Sequence, residues 1–219
     1  PVVRFHGEAQ LLTAGADPQG PRMGRAIIWD LISRQRQATL ERARPIHSAD
    51  INHDNTMLIT VEGEEHFARL WSLPGLKELD TVGDHSDIVW QATFSPDGKS
   101  VLTASNDQSA RIYRLNGERL GEISTNSKVR FARFSKDGRL ILTCKDSLSG
   151  AAQLWRVADG AELVHFDGHR DKLSWGTFND AGTWAATAAR DGTTCIWPTD
   201  PTAVAKRISS QVPASASGK

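Results

Sequence analysis

Residues 83–98 read GDHSDIVWQATFSPDG and, with the residues that follow, decide the fold. The segment ends in a turn-forming SPDG sequence. Apolar and polar residues then alternate, as in VLTAS at 101–105 and ARIYRL at 110–115. A period of two residues, interrupted by Gly, Asp and Asn, predicts short antiparallel strands joined by tight turns rather than helices.

The same pattern recurs along the chain at a fixed interval. An aromatic residue closes a short alternating stretch five times, and successive aromatic residues are 42 positions apart. They are Trp29, Trp71, Tyr113, Trp155 and Trp197. A turn sequence precedes each one, and a threonine lies between turn and aromatic residue in every copy, at Thr13, Thr60, Thr103, Thr143 and Thr187. Equal spacing of this kind indicates internal duplication.

Each period has room for about four short strands. A four-stranded sheet of this size does not bury both of its faces alone, so neighbouring copies must stack, and radial stacking gives a propeller. The sequence therefore predicts an all-β protein, a β-propeller of four-stranded antiparallel blades, with about five blades of 42 residues.

Residues 83–113 and 168–197 resemble the WD40 repeat, and the resemblance extends over roughly residues 2–198. It implies a hydrogen-bond chain in each blade that joins a histidine, a strand Ser or Thr, a turn aspartate and the aromatic residue. In the third copy these are His85, Thr103, Asp107 and Tyr113, and in the fifth they are His169, Thr187, Asp191 and Trp197. Tyr113 replaces the family tryptophan, which leaves open whether its hydroxyl replaces the indole donor. Arg42 and Thr125 occupy the histidine position in the second and fourth copies, so an incomplete chain is expected there.

The number of copies bears on domain organisation. Propellers of the WD40 family usually have seven blades, whereas five third strands are recognisable here, and the chain begins inside the first strand of its first copy. We expect residues 1–198 to be blades of a longer propeller. Residues 199–219, in which a fourth strand is not evident, are expected to be a tail or a partial closing strand.

Composition and charge exclude several classes of protein. The chain has 219 residues, 39% of them hydrophobic, and its 26 basic residues balance its 26 acidic ones. A globular fold is therefore expected, with no general attraction to nucleic acid or to a membrane surface. No apolar stretch approaches the ~20 residues that span a bilayer. The two cysteines favour a reducing compartment, and a cytoplasmic location is predicted.

The motifs of common catalytic and metal sites are missing from the sequence. There is no G-x-S-x-G, H-E-x-x-H or paired-cysteine motif. The GKS at 98–100 has Thr93 where a phosphate-binding loop needs glycine, and His165 and His169 have a metal-type spacing that requires a helix. We expect no enzymatic activity, no cofactor and no metal.

The family resemblance implies a partner-binding face on the narrower side of the ring. Carried over by position, the candidates are Ile88, Trp90, Asn106, Lys145, Lys172, Ser174 and Arg190. Trp90 is either an interface anchor or a residue packed against the next blade. Trp175 and Trp184 lie within strands of the last copy and are expected in the core.

Two segments of the first copy admit a second interpretation. The basic run at residues 33–44 is expected to be a solvated edge strand, with an acidic or nucleic-acid contact as the alternative. The insertion at 17–24 is expected to be a tolerated loop, with a partner-contacting finger as the alternative.

Repeats without a catalytic constellation predict a non-catalytic protein-protein interaction scaffold or sensing module, part of a larger protein. The alternative is the regulatory propeller of a multidomain enzyme whose catalytic domain lies outside this chain. The expected partners are proteins, with neither nucleic acid nor membrane among them. Completion of the ring by further blades or by self-association is a further expectation.

Overall fold

The computed structural model describes residues 2–6, 9–17, 20–148 and 150–200, and within those ranges the chain forms strands and no helix. The strands make five antiparallel sheets, and consecutive strands are hydrogen-bonded neighbours in each. The predicted all-β class and the stacking of small antiparallel blades are confirmed.

The strands follow one another as a meander within each sheet. The first sheet contains β1 (Val2–His6), β2 (Gln10–Asp17), β3 (Gly20–Asp30) and β4 (Gln35–Arg42). The second contains β5 (Ile46–Ile51), β6 (Met57–Glu62), β7 (Ala68–Ser72) and β8 (Glu78–Val82). The third contains β9 (Val89–Phe94), β10 (Ser100–Ser105), β11 (Ser109–Arg114) and β12 (Arg119–Ser124). The fourth contains β13 (Val129–Phe134), β14 (Leu140–Lys145), β15 (Ala152–Arg156) and β16 (Glu162–Phe166). The fifth has three described strands, β17 (Leu173–Phe178), β18 (Trp184–Ala189) and β19 (Thr194–Pro198).

The recurring turn between first and second strands explains why the strands break where they do. In the third sheet the Ser95 hydroxyl donates to Asp97 Oδ1 at 2.6 Å and accepts the backbone N–H of Ser100 at 3.0 Å. Gly98 follows with a φ of 68°, a conformation that glycine adopts without strain. The fourth sheet repeats this turn at 135–140, so one local sequence sets the hairpin in both copies.

Apolar clusters between successive sheets hold the structure together. The first cluster joins Leu12 and Ile28 of the first sheet to Ile46 and Trp71 of the second, and three further clusters join the second to the third, the third to the fourth and the fourth to the fifth. Each interior sheet thus buries both faces against its neighbours. The first strands of all five sheets line one central cavity.

The ends of the described region depart from two expectations. The 17–24 segment is not a simple loop, because β2 continues to Asp17 and β3 starts at Gly20. On the last sheet, Trp184 is 46% exposed rather than part of the core. Thr199 still bonds this sheet, since its hydroxyl donates to Gly182 O at 2.6 Å. The predicted tail beyond Asp200 lies outside the described residues.

Candidate functional site

The third sheet brings together three of its four predicted chain members. His85 Nδ1 lies 2.9 Å from Asp107 Oδ2, and His85 Nε2 lies 2.7 Å from Thr103 Oγ1. Burial lowers the pKa of His85, against the raising effect of Asp107. Burial alone would raise the pKa of Asp107, but hydrogen bonds from Ser109 and His85 bring it down to about 2. A neutral histidine therefore links a carboxylate to a strand hydroxyl inside the sheet.

Tyr113, the fourth predicted member, takes a different partner. Its hydroxyl donates to Asp84 Oδ1 at 2.5 Å and accepts the Asp84 N–H at 3.3 Å. Burial, together with this bond, raises the pKa of Tyr113 to about 12. The hydroxyl of a tyrosine lies farther from the backbone than the N–H of an indole does. It therefore reaches Asp84, in the turn ahead of His85, instead of Thr103. The hydroxyl therefore does not replace the indole donor.

The fifth sheet brings its four predicted members together and adds one. Trp197 Nε1 donates to Thr187 Oγ1 at 2.9 Å, and His169 Nε2 lies 2.8 Å from the same oxygen. His169 Nδ1 is 2.7 Å from Thr193 Oγ1, which donates to Asp191 Oδ1 at 2.6 Å. Asp191 is thus reached through Thr193, which the sequence reasoning missed. The available signal was position, since Ser109 also follows its turn aspartate by two residues.

In the second sheet, an ion pair takes the place of the histidine in the hydrogen-bond chain. Trp71 Nε1 donates to Thr60 Oγ1 at 2.9 Å, and the Thr60 hydroxyl donates to Glu62 Oε1 at 3.0 Å. Glu62 is buried and accepts Arg42 Nε at 2.8 Å, while the Arg42 guanidinium lies 4.7 Å from the Trp71 ring centre. Arg42, which occupies the histidine position, therefore joins the hydrogen-bond chain through Glu62.

In the first and fourth sheets, the hydrogen-bond chain is reduced to the bond between the threonine and the tryptophan. Trp29 donates to Thr13 at 2.9 Å, and Trp155 donates to Thr143 at 2.8 Å. The hydroxyl of Thr125, at the histidine position of the fourth copy, bonds nearby backbone groups: the carbonyls of Gln108 and Ser127 and the N–H of Ser127. A threonine-to-indole bond is thus common to four sheets, and the third is the exception.

A second repeated feature lies on the innermost strands. Strands β5, β9, β13 and β17 each carry a β-bulge, at which one residue has no partner in the register of the adjacent strand. The bulged residues are His47, Trp90, Arg130 and Ser174. Each stands four positions before the apolar residue that ends its strand. A bulge re-aims a side chain, and these four all line the central cavity. We call them the bulge ring.

Three of the four members of the bulge ring touch one another. His47 and Trp90 have ring centres 5.2 Å apart, and the Arg130 guanidinium lies 3.6 Å from the centre of the Trp90 ring. Trp90 Nε1 also donates to Asn106 Oδ1 at 2.7 Å. Burial lowers the pKa of His47 and of Arg130. The cavity that these residues line has a volume of about 780 Å³.

A second layer of polar side chains lies along the same strands, one position before the strand-ending apolar residue. Its members on these strands are Asp50, Thr93, Arg133 and Thr177, and Arg4 of β1 joins them; all but Thr177 line the cavity. Asp50 accepts Arg4 Nη1 at 2.7 Å, the Thr93 hydroxyl at 2.6 Å and the Phe94 N–H at 3.0 Å. Arg133 Nη1 donates to Thr177 Oγ1 at 3.3 Å. Burial lowers the pKa of Arg133 to about 10.

The residues predicted for partner binding divide into exposed and engaged groups. Ser174 and Arg190 are exposed, and Ile88 is partly buried. Lys172 pairs with Asp146 at 2.9 Å. Lys145 is only 4% exposed and donates to Asn126 Oδ1 at 2.8 Å, so its place on an open charged face is a wrong expectation. It ends β14 facing the adjacent turn.

The prediction that Trp175 lies in the core of the last copy is wrong. Its side chain lines the central cavity together with His47, Arg130 and Arg133. It is 46% exposed and lies beside Phe131, with the Arg133 guanidinium 5.5 Å from each ring centre. Sequence reasoning missed His47 and Arg130, although the offset that selects Trp90 and Ser174 selects them too. It missed Arg133 because the sequence does not show that Asp50 pairs with Arg4 rather than with Arg133.

The described ranges hold one fully buried thiol, that of Cys144. Burial raises the pKa of the Cys144 thiol to about 12, which keeps this nucleophile protonated. In the described ranges, no three His, Cys, Asp or Glu side chains are grouped as metal ligands would be. The same ranges hold no helix with the length and hydropathy of a membrane span.

Comparison with known proteins finds repeats of one family. The model for the WD domain, G-beta repeat, matches residues 76–114 and 160–198. The chain is 30% identical over 196 residues to Pre-mRNA-processing factor 19 homolog 2 of Arabidopsis thaliana, covering 86% of this chain and 36% of that protein. It is 26% identical over 181 residues to Protein HIR1 of Kluyveromyces lactis, covering 68% and 21%.

A shorter match falls on human eukaryotic translation initiation factor 3 subunit I, with 31% identity over 108 residues, 49% of this chain and 33% of that protein. The chain therefore spans about a third or less of the length of these relatives.

Proposed function

Since this chain is a WD40-repeat protein, we propose that it is a non-catalytic interaction module that binds a protein partner at the bulge ring. The observation that carries the proposal is that four equivalent bulges present four different side chains, His47, Trp90, Arg130 and Ser174, to one cavity. A rigid frame with variable side chains at fixed positions serves recognition.

Trp90 and Arg190 are the residues through which we expect the partner to be held. Trp90 is partly buried by Arg130 and Asn106, which fix its orientation and leave part of the indole accessible. Arg190 is exposed in the turn after β18. Large aromatic and arginine side chains of this kind dominate binding energy at protein interfaces. Lys172 and Ile88 contribute at the rim.

Affinity capture with quantitative mass spectrometry tests this. The immobilised chain is compared with a Trp90→Ala/Arg190→Glu variant and with Lys99→Glu, a matched charge reversal in the exposed turn at the other end of the third sheet. We expect wild type and Lys99→Glu to retain the same partner and the double variant to lose it, with melting temperatures within a few degrees. Equal retention by all three proteins would refute the proposal.

A second binding mode is supported by the last described sheet. Trp184 and Ile196 are 46% and 58% exposed and lie with Phe178 along a shallow apolar groove. We propose that further blades of the same protein, or a second copy, cover this face and complete the ring. Sedimentation over a concentration series separates the two, since only self-association depends on concentration.

We also propose a cytoplasmic location for this module. The alternative to a scaffold is that the module regulates an enzyme elsewhere in a larger protein. Recognition would use the same bulge ring in either case, because these side chains are fixed by the fold of this chain.

A further inference from the structure

The central cavity holds more positive charge than its own acidic groups neutralise. Arg4, Arg130, Arg133 and Lys136 line it, and Asp50 is the one carboxylate among the described lining residues. Lys136 pairs with Asp180, outside the cavity lining, at 3.0 Å. Asp50 is occupied by Arg4, Thr93 and the Phe94 N–H. Within the described ranges, no carboxylate lies within ion-pair distance of Arg130 or Arg133.

We propose that Arg130 and Arg133 bind an anionic side chain of a peptide partner, a carboxylate or a phosphate, inside the central cavity. This rests on the proposed function and names the chemistry of its partner. Both arginines lie on β13, one at the bulge and one in the second layer, so they contact the same cavity at two depths.

The surroundings of the two guanidinium groups fit anion binding. Arg130 lies over Trp90 at 3.6 Å, and Arg133 lies 5.5 Å from Phe131 and Trp175. Stacking on aromatic rings uses the faces of a guanidinium and leaves its N–H edge for hydrogen bonds. The one hydrogen bond from either group among the described residues is the 3.3 Å contact of Arg133 with Thr177.

Energetics favour the same conclusion. A charged group removed from water without a partner is destabilised, and burial lowers the pKa of both arginines accordingly. A carboxylate or phosphate restores the lost hydrogen bonds in bidentate, charge-assisted geometry. The Asp146 carboxylate, which pairs with Lys172, raises the pKa of Arg130, whereas the charge of Arg190 lowers it and adds to the positive potential near the bulge ring.

A peptide fits better than a nucleic acid. The chain carries no excess of basic residues, and a backbone-binding surface for nucleic acid needs an extended basic stripe. The cavity, at about 780 Å³, has room for a few side chains and no more. Its aromatic and hydroxyl groups suit a short acidic segment with neighbouring apolar atoms.

The test uses three fluorescein-labelled heptapeptides that differ only at the central residue: Gly₃-phosphoserine-Gly₃, Gly₃-Glu-Gly₃ and Gly₃-Ser-Gly₃. Fluorescence anisotropy is measured with wild type, Arg130→Gln/Arg133→Gln and the control Arg139→Gln. The Arg139 side chain is 85% exposed in the turn that ends the same strand. Thermal melting of each protein verifies folding.

We expect wild type and Arg139→Gln to bind at least one anionic peptide and to prefer it over the serine peptide by tenfold or more. The double variant should lose at least tenfold in affinity for the anionic peptide. Whether phosphoserine, glutamate or both bind identifies the source of the anion. A serine peptide that binds equally well, an unchanged double variant, no binding of either anionic peptide up to a few millimolar, or tighter binding of a 15-mer oligothymidylate would overturn the proposal.

Failure of this inference is distinguishable from failure of the proposed function. Suppose that a partner is captured by wild type and by Arg130→Gln/Arg133→Gln but lost from Trp90→Ala/Arg190→Glu. This result would support the interaction module and refute the anion site. A partner retained by every variant removes the interaction module, whatever the peptides show.

Discussion

The threonine-to-aromatic bonds inside the sheets and the bulge ring around the cavity come from the same repeat, yet they differ in how much they vary. Thr13, Thr60, Thr143 and Thr187 all accept an indole N–H at 2.8–2.9 Å. The bulge ring instead presents His47, Trp90, Arg130 and Ser174 on one backbone geometry.

This difference separates two demands on the repeat. Buried polar atoms must be paired inside every sheet, so the residues that pair them are constrained in every copy. Side chains that face a cavity can instead be paired by a bound partner, so the sheet itself does not hold them to one residue type. Constancy between repeats therefore marks what the fold requires, and variation at a fixed geometry is the feature that we propose to serve recognition.

The largest effect is expected at the ion pair that closes the second sheet. Glu62→Ala removes the acceptor of both Arg42 and Thr60. Breaking a buried pair costs roughly 3–5 kcal/mol, and partial exposure of Arg42 reduces this to about 3 kcal/mol of unfolding free energy. Urea denaturation provides the measurement, with the exposed neighbour Glu64→Ala as control. Equal losses in the two variants would mean that the ion pair does not support the sheet.

A smaller loss is expected at the histidine of the third sheet. His85→Ala leaves Thr103 and Asp107 without their shared partner, which costs about 2 kcal/mol. His169→Ala should behave alike, because Thr187 and Thr193 flank it in the same way. Chemical denaturation of both variants measures this. A change of a few tenths of a kcal/mol in either would show that its chain does not form.

The tyrosine of the third sheet is expected to contribute less than the histidine. Tyr113→Phe should cost about 1 kcal/mol by removing the bond to Asp84. Because that hydroxyl bonds Asp84 rather than Thr103, although the two rings lie 6.2 Å apart, we expect Tyr113→Phe to couple with His85→Ala more weakly than Trp197→Phe couples with His169→Ala. Trp197→Phe and His169→Ala share Thr187 and should not be additive. Two double-mutant cycles settle the matter, and strong coupling between Tyr113 and His85 would contradict the assigned bond.

Acid provides a test of the buried neutral histidine. The folded-state pKa of His85 lies below its unfolded value of 6.5, so the unfolded chain binds more protons below that pH. Stability from neutral His85 is fully present above pH 6.5 and declines as the pH falls towards the folded-state pKa. The difference in unfolding free energy between wild type and His85→Gln should therefore shrink between pH 7 and pH 5. A constant difference would mean that the pKa of His85 is not lowered by folding.

The sequence predicts the sheets well because their signals are local. Alternation around Val101 and the turn at Ser95–Gly98 specify strands and hairpins, and the spacing of Trp29, Trp71 and Trp155 specifies stacked copies. The pairing of His169 with Thr187 follows from the family pattern.

What the sequence could not supply depends on register and on contacts between copies. A β-bulge arises from how two strands pair, so β13 alone does not show that Arg130 faces the cavity; only the offset that Arg130 shares with Trp90 indicates it. The burial of Lys145 depends on Asn126 in an adjacent turn, and the exposure of Trp184 depends on which face of the last sheet is covered. These are properties of neighbours, whereas strand periodicity is a property of the segment itself.

We propose that the bulge ring serves recognition and is not needed to hold the fold. The direct test is the free energy of unfolding of His47→Ser/Arg130→Ser, which gives the second and fourth bulges the side chain that Ser174 provides in the fifth. We expect a loss below about 1 kcal/mol, as for two substitutions away from the core. A loss as large as that of His85→Ala would show that the ring supports the structure and would contradict its assignment to recognition.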